Sequence, residues 1–266
     1  MGAGHFTFMG GEPLMRDGVF DLIKHANSKN VFVKLQTNGS LITTNNIKQL
    51  EDSKVSQVEV SLDGTTPDTN DMIRGVGSFD KAINALEILR DSNIPKIGIC
   101  FTITKYSQHQ LYDLIVLARK YRVEELFLSI YVPMTKDRDL INELTPTNIG
   151  TSVNDVIRNN PDMVIFTSPP CEAAKTYCAI SPSGDVRPCT LSREIAGSVK
   201  NSSFEDIWLN SELMRKVREP YNRSLACRFC KHKYECRFPC IAKCYYDTKS
   251  TFNTMCVRKG EKFINI

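Results

Sequence analysis

The sequence predicts an α/β protein: a partial (β/α) barrel over residues 1–165, followed by a small cysteine-rich domain over residues 166–266. Three observations carry this reading. A strand, a turn-forming exit and an amphipathic helix recur five times in succession before residue 160. Five βα units in a row imply a parallel sheet with right-handed crossovers, open or curled toward a barrel. Nine of the ten cysteines then stand between Cys171 and Cys256, within 86 residues of one another. At 266 residues the chain is also near the size at which a single core stops growing, and the uneven cysteine distribution argues for two domains.

Taken in order, residues 5–9 form a short apolar strand that stops at Gly10-Gly11-Glu12-Pro13. Helical spacing follows over residues 14–27 through Leu14, Val19, Phe20, Ile23 and Ala26. Residues 31–35 are rich in β-formers and end at Thr37-Asn38-Gly39, with a helix over 44–52 and Thr43 as its N-cap. Residues 55–62 alternate and end at Asp63-Gly64, after which residues 78–91 carry Phe79, Ile83, Leu86 and Leu89 on one helical face. Residues 97–104 and 126–132 supply the fourth and fifth strands, with helices over 107–121 and 147–159. Past Pro161 the grammar changes. Phe166-Thr167-Ser168-Pro169-Pro170 reads as a breaker-rich link, and residues 179–186 as a hairpin turning at Ser183-Gly184-Asp185. Ser202 or Ser203 caps a short helix through Phe204, Ile207 and Trp208, and from Cys227 onward periodicity fades, as expected where metal ligation substitutes for a core.

Parallel α/β folds bind ligands at the carboxyl ends of their strands. The residues of interest fall in those loops: residues 10–13, 37–39 and 61–64, and Thr104. Any one such loop is explained by the tight exits that glycine and asparagine make. Several at one rim point to a ligand site.

Hydrophobic residues make up 41% and charged residues 24%, a globular composition, and no apolar run is long enough to span a bilayer. The first residues lack the basic and apolar regions of a signal peptide, so the expected location is cytoplasmic, without membrane partners. In a reducing compartment a late cysteine cluster reads as metal binding more than as disulfides. The run Cys227-x2-Cys230-x5-Cys236-x3-Cys240 brings thiolates close enough along the chain to converge on one centre, and nine cysteines suffice for two four-thiolate sites with one left over. The formal net charge of +4 is uneven: from Arg187 to Lys262 there are 16 Lys plus Arg against 8 Asp plus Glu. A solvated basic face and a nucleic-acid patch are the plain readings; an equal one is that these cations offset the charge of thiolate-ligated clusters. Trp208 and Tyr245 fit no base-stacking pattern, so nucleic acid is not an expected partner.

At this point the chain resembles a known family. Met9-Gly10-Gly11-Glu12-Pro13-Leu14 is similar to the GGEP motif of radical S-adenosylmethionine (SAM) enzymes. Cys171-x12-Gly184-x4-Cys189, then Cys227, Cys230, Cys236 and Cys240, then Cys256, resemble their SPASM domain, with a linker-like stretch at Gly197 and Asp206-Ile207-Trp208. The resemblance covers essentially the whole chain. It implies a barrel of the radical SAM type in which Gly10, Gly11, Glu12 and Pro13 present backbone to the amino end of SAM. Asn38, Ser61 and Arg74 fall where family members contact its ribose or carboxylate, and residues 126–132 would back the adenine. Arg74 reads equally well as a surface residue.

The resemblance further implies two auxiliary [4Fe–4S] clusters. Cys171, Cys178, Cys189 and Cys240 would hold one, and Cys227, Cys230, Cys236 and Cys256 the other. Cys244 is the extra thiol, able to displace Cys240 or Cys256, and Arg237-Phe238-Pro239 with Ile241-Ala242-Lys243 depart from the family's glycine-rich segment there. Cys100 reads as a small core hydrophobe. Residues 1–99 contain no cysteine, whereas the family's SAM-cleaving cluster sits on a CxxxCxxC loop after its first strand. The expectation is a barrel lacking its first βα unit and a chain that does not by itself cleave SAM; the intact rim favours a late start over a natural remnant. A third [4Fe–4S] cluster would need that missing segment.

The expected function is that of a radical SAM/SPASM maturase. It would modify a peptide or small cofactor precursor through a 5′-deoxyadenosyl radical, with reduced flavodoxin or ferredoxin as electron donor. The alternative is a non-catalytic zinc- or iron–sulfur-binding scaffold. Iron with matching sulfide supports the first, and zinc without sulfide the second.

Overall fold

The computed structural model describes residues 2–132, 138–147, 149–167 and 172–218. They group into two compact units, residues 2–131 with 144–167, and residues 132 and 138–143 with 172–218. The first unit is a six-stranded parallel sheet of β1 (His5–Phe8), β2 (Phe32–Thr37), β3 (Gln57–Ser61), β4 (Ile97–Ile103), β5 (Glu125–Ile130) and β6 (Val164–Thr167), in that order. Helices α1 (Val19–Asn27), α2 (Ile47–Asp52), α3 (Pro67–Arg74), α4 (Ser78–Arg90) and α5 (Leu111–Lys120) fill the crossovers. After β5 come α6 (Arg138–Leu144), whose residues through 143 belong to the second unit, and α7 (Ile149–Asn159).

Strictly sequential strand order with right-handed crossovers puts the crossover helices on one face of the sheet, the rule of a (β/α) barrel. The core confirms it. Val33 and Leu35 of β2, Val58 and Val60 of β3, Ile99 and Phe101 of β4, and Leu126 and Leu128 of β5 pack with Val19, Ile23, Leu50, Leu86, Leu89, Leu114, Val153 and Val156 of the helices. The intervening strand residues face the other way.

Two features of this unit depart from the sequence reading. β6 pairs with β5 from Val164↔Glu125 to Thr167↔Leu128, so a sixth strand runs into the segment that reads as a link and spans residues 165 and 166. Its β-formers Val164, Ile165, Phe166 and Thr167 are too few to stand out before Pro169-Pro170. Helix α3 is the second departure, and its signal was legible: Thr66 is the N-cap, its hydroxyl accepting from Thr69 N at 3.4 Å, and Pro67 opens the helix.

Helix starts also move. The first helix begins at Val19, because Pro13–Met15 forms a separate 3-10 turn and Gly18 takes a left-handed conformation with φ 76°. α2 begins at Ile47, since Thr43 and Asn46 exchange side-chain bonds in a preceding turn: Thr43 N donates to Asn46 Oδ1 at 2.9 Å and Asn46 N to Thr43 Oγ1 at 3.3 Å. Thr104 and Ser107 do the same ahead of α5.

One carboxylate holds the bend between α3 and α4. Asp71 accepts from Phe79 N at 2.8 Å, Ser78 Oγ at 2.9 Å and Gly77 N at 2.6 Å. These bonds, the Phe79 N–H foremost, hold its carboxyl below the ordinary range. A depressed folded pKa gives stability that is complete above the unfolded value, about 3.9, and is lost as pH falls through the folded value. Thermal melts from neutral to strongly acid pH are therefore expected to show wild type above Asp71→Asn at neutral pH. The gap should close as the medium becomes acid.

The second unit carries an antiparallel ribbon of β7 (Ala179–Ile180), β8 (Asp185–Arg187) and β9 (Gly197–Ser198), then α8 (Phe204–Asn210) and α9 (Glu212–Arg218). The hairpin lies where the sequence predicts it, turning at Gly184 with φ 88°. Ser203 is the cap of α8, accepting from Asp206 N at 3.1 Å. Gly197 lets α8 approach: a Cβ there would stand 2.9 Å from Ile207 Cγ1. Ala173, Ala174, Val186, Cys189, Ile207, Met214 and Val217 form its core. Arg218 lies 4.6 Å over the Trp208 ring and donates from Nε to Ala174 O at 2.7 Å. Among the described residues no helix is long and apolar enough to cross a membrane.

Candidate functional site

The sheet face turned away from the helices is polar. Lys34 Nζ of β2 reaches Glu59 Oε2 of β3 at 3.0 Å and Glu125 Oε1 of β5 at 3.2 Å. Gly98 makes this possible, since a Cβ at that position would lie 2.9 Å from Gln57 Nε2 and 3.5 Å from Glu59 Cγ. Burial raises the Glu59 carboxyl above its ordinary pKa against the pull of Lys34. Burial also works to lower the Lys34 ammonium, but the two carboxylates outweigh it and leave it raised. His5, whose ring is tilted 32° to that of Phe32 with centroids 4.9 Å apart, has its pKa lowered by burial and by Lys34.

By strand alternation Ser61, Cys100, Thr102, Phe127 and Ser129 share this face, nearer the carboxyl ends. This placement refines two sequence readings. Cys100 is buried but takes no part in the helix-side core; it stands opposite Ser61 in the ladder. Its thiol is pushed up to about 12 by burial, with the charges of Glu59 and Asp63 adding, so it remains S–H. Of residues 126–132, Leu126 and Leu128 belong to the helix-side core, which leaves Phe127 and Ser129 on the polar face.

At the rim, the turn after β1 is fastened to the exit of β2 by one side chain. Glu12 accepts from Thr37 Oγ1 at 2.8 and 2.9 Å, from Asn38 N at 2.8 Å and from Leu14 N at 3.1 Å. Thr37 Oγ1 in turn accepts from Gly39 N at 3.0 Å, and Asn38 Oδ1 from Ser40 N at 2.8 Å. The result is a fixed Gly10-Gly11 backbone in which Gly10 holds φ 148°, a conformation open to glycine alone at little strain. Nothing lies within 4 Å of where a Cβ would stand on Gly10 or Gly11, so the face of this turn is open.

The exits of β3 and β4 are joined by Asp63. Its Oδ1 accepts from Thr102 N at 2.9 Å, its N–H donates to Asn70 Oδ1 at 2.9 Å, and Arg74 Nε lies 2.7 Å from Oδ2. The Arg74 contact is one of charge, the Nε–H not being aligned for a hydrogen bond. Gly64 lets α3 close over the exit: a Cβ there would stand 2.6 Å from Asn70 N. Gln110 ties in the next loop, accepting from Thr65 N and donating to Thr69 Oγ1, both at 3.0 Å.

Glu12 is thus bonded directly to Asn38, with Gly10, Gly11 and Pro13 beside it in the same turn, while Arg74 meets Asp63, the strand-exit residue of β3. Sequence reasoning missed Asp63 as an anchor and Lys34, Glu59 and Glu125 as a network. Their signal was alternation: Lys34-x-Gln36 and Gln57-x-Glu59-x-Ser61 place polar groups at every second position, and Glu125 and Ser129 flank Phe127 on the same face, in strands that a filled barrel would make apolar.

Of the cysteines assigned to metal, Cys178 and Cys189 are described. Cys171, Cys227, Cys230, Cys236, Cys240 and Cys256, with Cys244, lie outside the described residues. Cys178 precedes β7 and Cys189 follows β8, and the pair Ala179↔Arg187 sets both at the open end of one hairpin, packed against one small core. Burial raises the Cys178 thiol. On β8, Arg187 Nε is buried without a hydrogen-bond partner among the described residues. Two thiols at one ribbon end, packed against one core, suit a thiolate-ligated cluster completed by further cysteines. Among the described residues no group of three His, Cys, Asp or Glu could hold a metal ion.

Residues 1–118 match the model of the radical SAM superfamily, and residues 171–237 that of an iron–sulfur cluster-binding domain, SPASM. Mycofactocin maturase MftC from Mycobacterium ulcerans is 32% identical over 259 residues, covering 89% of this chain and 70% of that protein. The Mycobacterium tuberculosis MftC is 32% identical over the same length, and the chain spans 66% of it. AdoMet-dependent heme synthase from Methanosarcina barkeri is 26% identical, covering 90% of this chain and 77% of that one. In fold the chain is similar to Streptococcus suis SuiB bound to S-adenosylmethionine, with TM-score 0.76, 18% identity, and coverage of 94% of this chain and 65% of that one.

Proposed function

The chain belongs to the radical SAM superfamily and carries its SPASM-type iron–sulfur domain, and on that premise we propose that it serves a maturase that modifies a peptide. The similarity to mycofactocin maturases, at 32% against 26% for the heme synthase, supports a peptide over a tetrapyrrole precursor. SuiB, of the same fold, is known bound to its precursor peptide SuiA. The division into a barrel and a cysteine-rich domain near residue 165 is part of the same reading, as are two auxiliary [4Fe–4S] clusters and a flavodoxin or ferredoxin as donor.

The observation that carries the proposal is the Glu12 clasp, which holds an open glycine backbone at the carboxyl end of β1. In this reading the backbone at residues 10–13 receives the amino end of SAM. Asn38 and Ser61 meet its ribose or carboxylate, and Arg74, steadied by Asp63, offers its remaining N–H groups to the carboxylate. Because Glu12 spends both oxygens on Thr37, Asn38 and Leu14, its part is to position the turn. Cys178 and Cys189, with Cys171 and Cys240, hold one auxiliary cluster, and Cys227, Cys230, Cys236 and Cys256 the other. When bound, such clusters would supply one-electron transfer.

Hydrogen–deuterium exchange of anaerobically reconstituted protein tests the site. SAM is expected to slow exchange at residues 10–14, 37–39 and 61–64. An exchange pattern indifferent to saturating SAM would remove the proposal.

A further inference from the structure

Lys34 stands on β2 and Glu125 on β5, with β3 and β4 between them. Neighbouring strands lie about 4.8 Å apart, so in a flat sheet three such steps would hold the two backbones roughly 14 Å apart. Side chains rising perpendicular to a flat sheet do not converge over that span. Yet Lys34 Nζ lies 3.2 Å from Glu125 Oε1, and the contact requires the sheet to curve toward the face that carries both. The register agrees. Gln36, Glu59, Gly98 and Glu125 form one row across the strands, and Lys34 stands two residues nearer the amino end of β2, the stagger that the tilted strands of a curling sheet produce. Gly98, between Glu59 and Glu125 in that row, puts no side chain beneath the span.

The side chains of Lys34 and Glu125 are only 14% and 15% exposed, so water and salt screen this pair less than they screen a surface ion pair. The ties at the rim are local by comparison. Glu12 joins the exits of β1 and β2, and Asp63 those of β3 and β4. Neither sets the distance from β2 to β5.

We propose that Lys34 and Glu125 form a strut across the concave face of the sheet, which fixes the spread from β2 to β5 and with it the width of the rim above. The bond from Lys34 to Glu59 plays a different part: it joins adjacent strands whose spacing the backbone ladder already sets, and it steadies the ammonium. Lys34 and Glu125 are positioning residues, acting through the sheet. The consequence for SAM rests on the reading of the rim as its site. Residues 10–13 and Asn38 stand at the near end of the span and Ser61 and Arg74 further along it, so a rim that spreads cannot engage them all at once.

The test uses the full chain, reconstituted anaerobically and kept oxidised. Keto amino acids at two exposed positions, Lys24 of α1 and Val116 of α5, carry nitroxide labels, so that no cysteine is modified. Pulsed electron paramagnetic resonance reads the distance between them. Glu125→Gln is expected to shift that distance to larger values and to weaken SAM binding by roughly 5- to 20-fold, within the range usual for coupled sites. Glu59→Gln removes an equal charge from beside the same ammonium but cuts no long span, and should keep the wild-type distance. An unmoved distance in Glu125→Gln with unchanged far-ultraviolet circular dichroism, or an equal shift in both variants, overturns the strut. A longer distance with wild-type SAM affinity overturns its link to the rim. Where Glu125→Gln does not fold, Glu125→Asp keeps the charge and draws it back by one methylene: a shifted distance then supports the strut, and a wild-type distance overturns it. Absence of SAM binding by wild type defeats the reading of the rim itself, a failure distinct from an unmoved distance, which decides the strut alone.

Discussion

Glu12→Ala is expected to weaken SAM binding by roughly 30- to 150-fold, the equivalent of losing about 2–3 kcal/mol of charge-assisted hydrogen bonding. The carboxylate accepts from three residues on two loops, and the alanine variant frees all three at once. Thr37, which is buried, is then left with a donor and no acceptor, and the Gly10-Gly11 turn regains the freedom that glycine otherwise has. Glu12→Gln should fall between wild type and alanine. It keeps the length and one acceptor oxygen but turns an NH2 toward either Asn38 N or Leu14 N, donor against donor. Calorimetric titration with SAM on reconstituted protein gives the order wild type, Gln, Ala. Equal affinity in all three would show that the clasp does not set the turn.

Lys34→Met is expected to cost about 3–5 kcal/mol of stability at neutral pH, because it leaves Glu59 and Glu125 facing each other without their shared cation. The deficit has a pH signature. Glu59 already holds its proton to a higher pH than an ordinary carboxyl, and removing Lys34 removes the chief influence opposing that. A raised carboxyl pKa in the folded state means stability that is lost as pH rises past the unfolded value, about 4.3, and recovered as pH falls. Urea melts of the variant should therefore approach those of wild type toward pH 4 and diverge toward pH 7. A deficit constant across that range would mean that packing of the lysine stem, not charge, is what the residue supplies.

The strand–helix units were legible in the sequence because Val33, Leu35, Val58, Val60, Leu86 and Leu89 repeat at the periods of strand and helix. The rim was legible because a glycine pair and Thr37-Asn38-Gly39 stand at strand ends. What escaped was decided by groups distant in the chain. Asp63 became an anchor only when β4 brought Thr102 N to it and α3 turned back with Arg74. Lys34, Glu59 and Glu125 are up to 91 residues apart and meet through the sheet register.

The two chemically opposite faces of the sheet also act as a proofreading device during folding. If β2 slid by one residue, Lys34 and Gln36 would be driven against α1 and the other helices while Val33 and Leu35 met the carboxylates of β3 and β5. A slipped frame is thus rejected by every strand pair at once. The alternation that lines this polar face also guards the alignment on which the face depends.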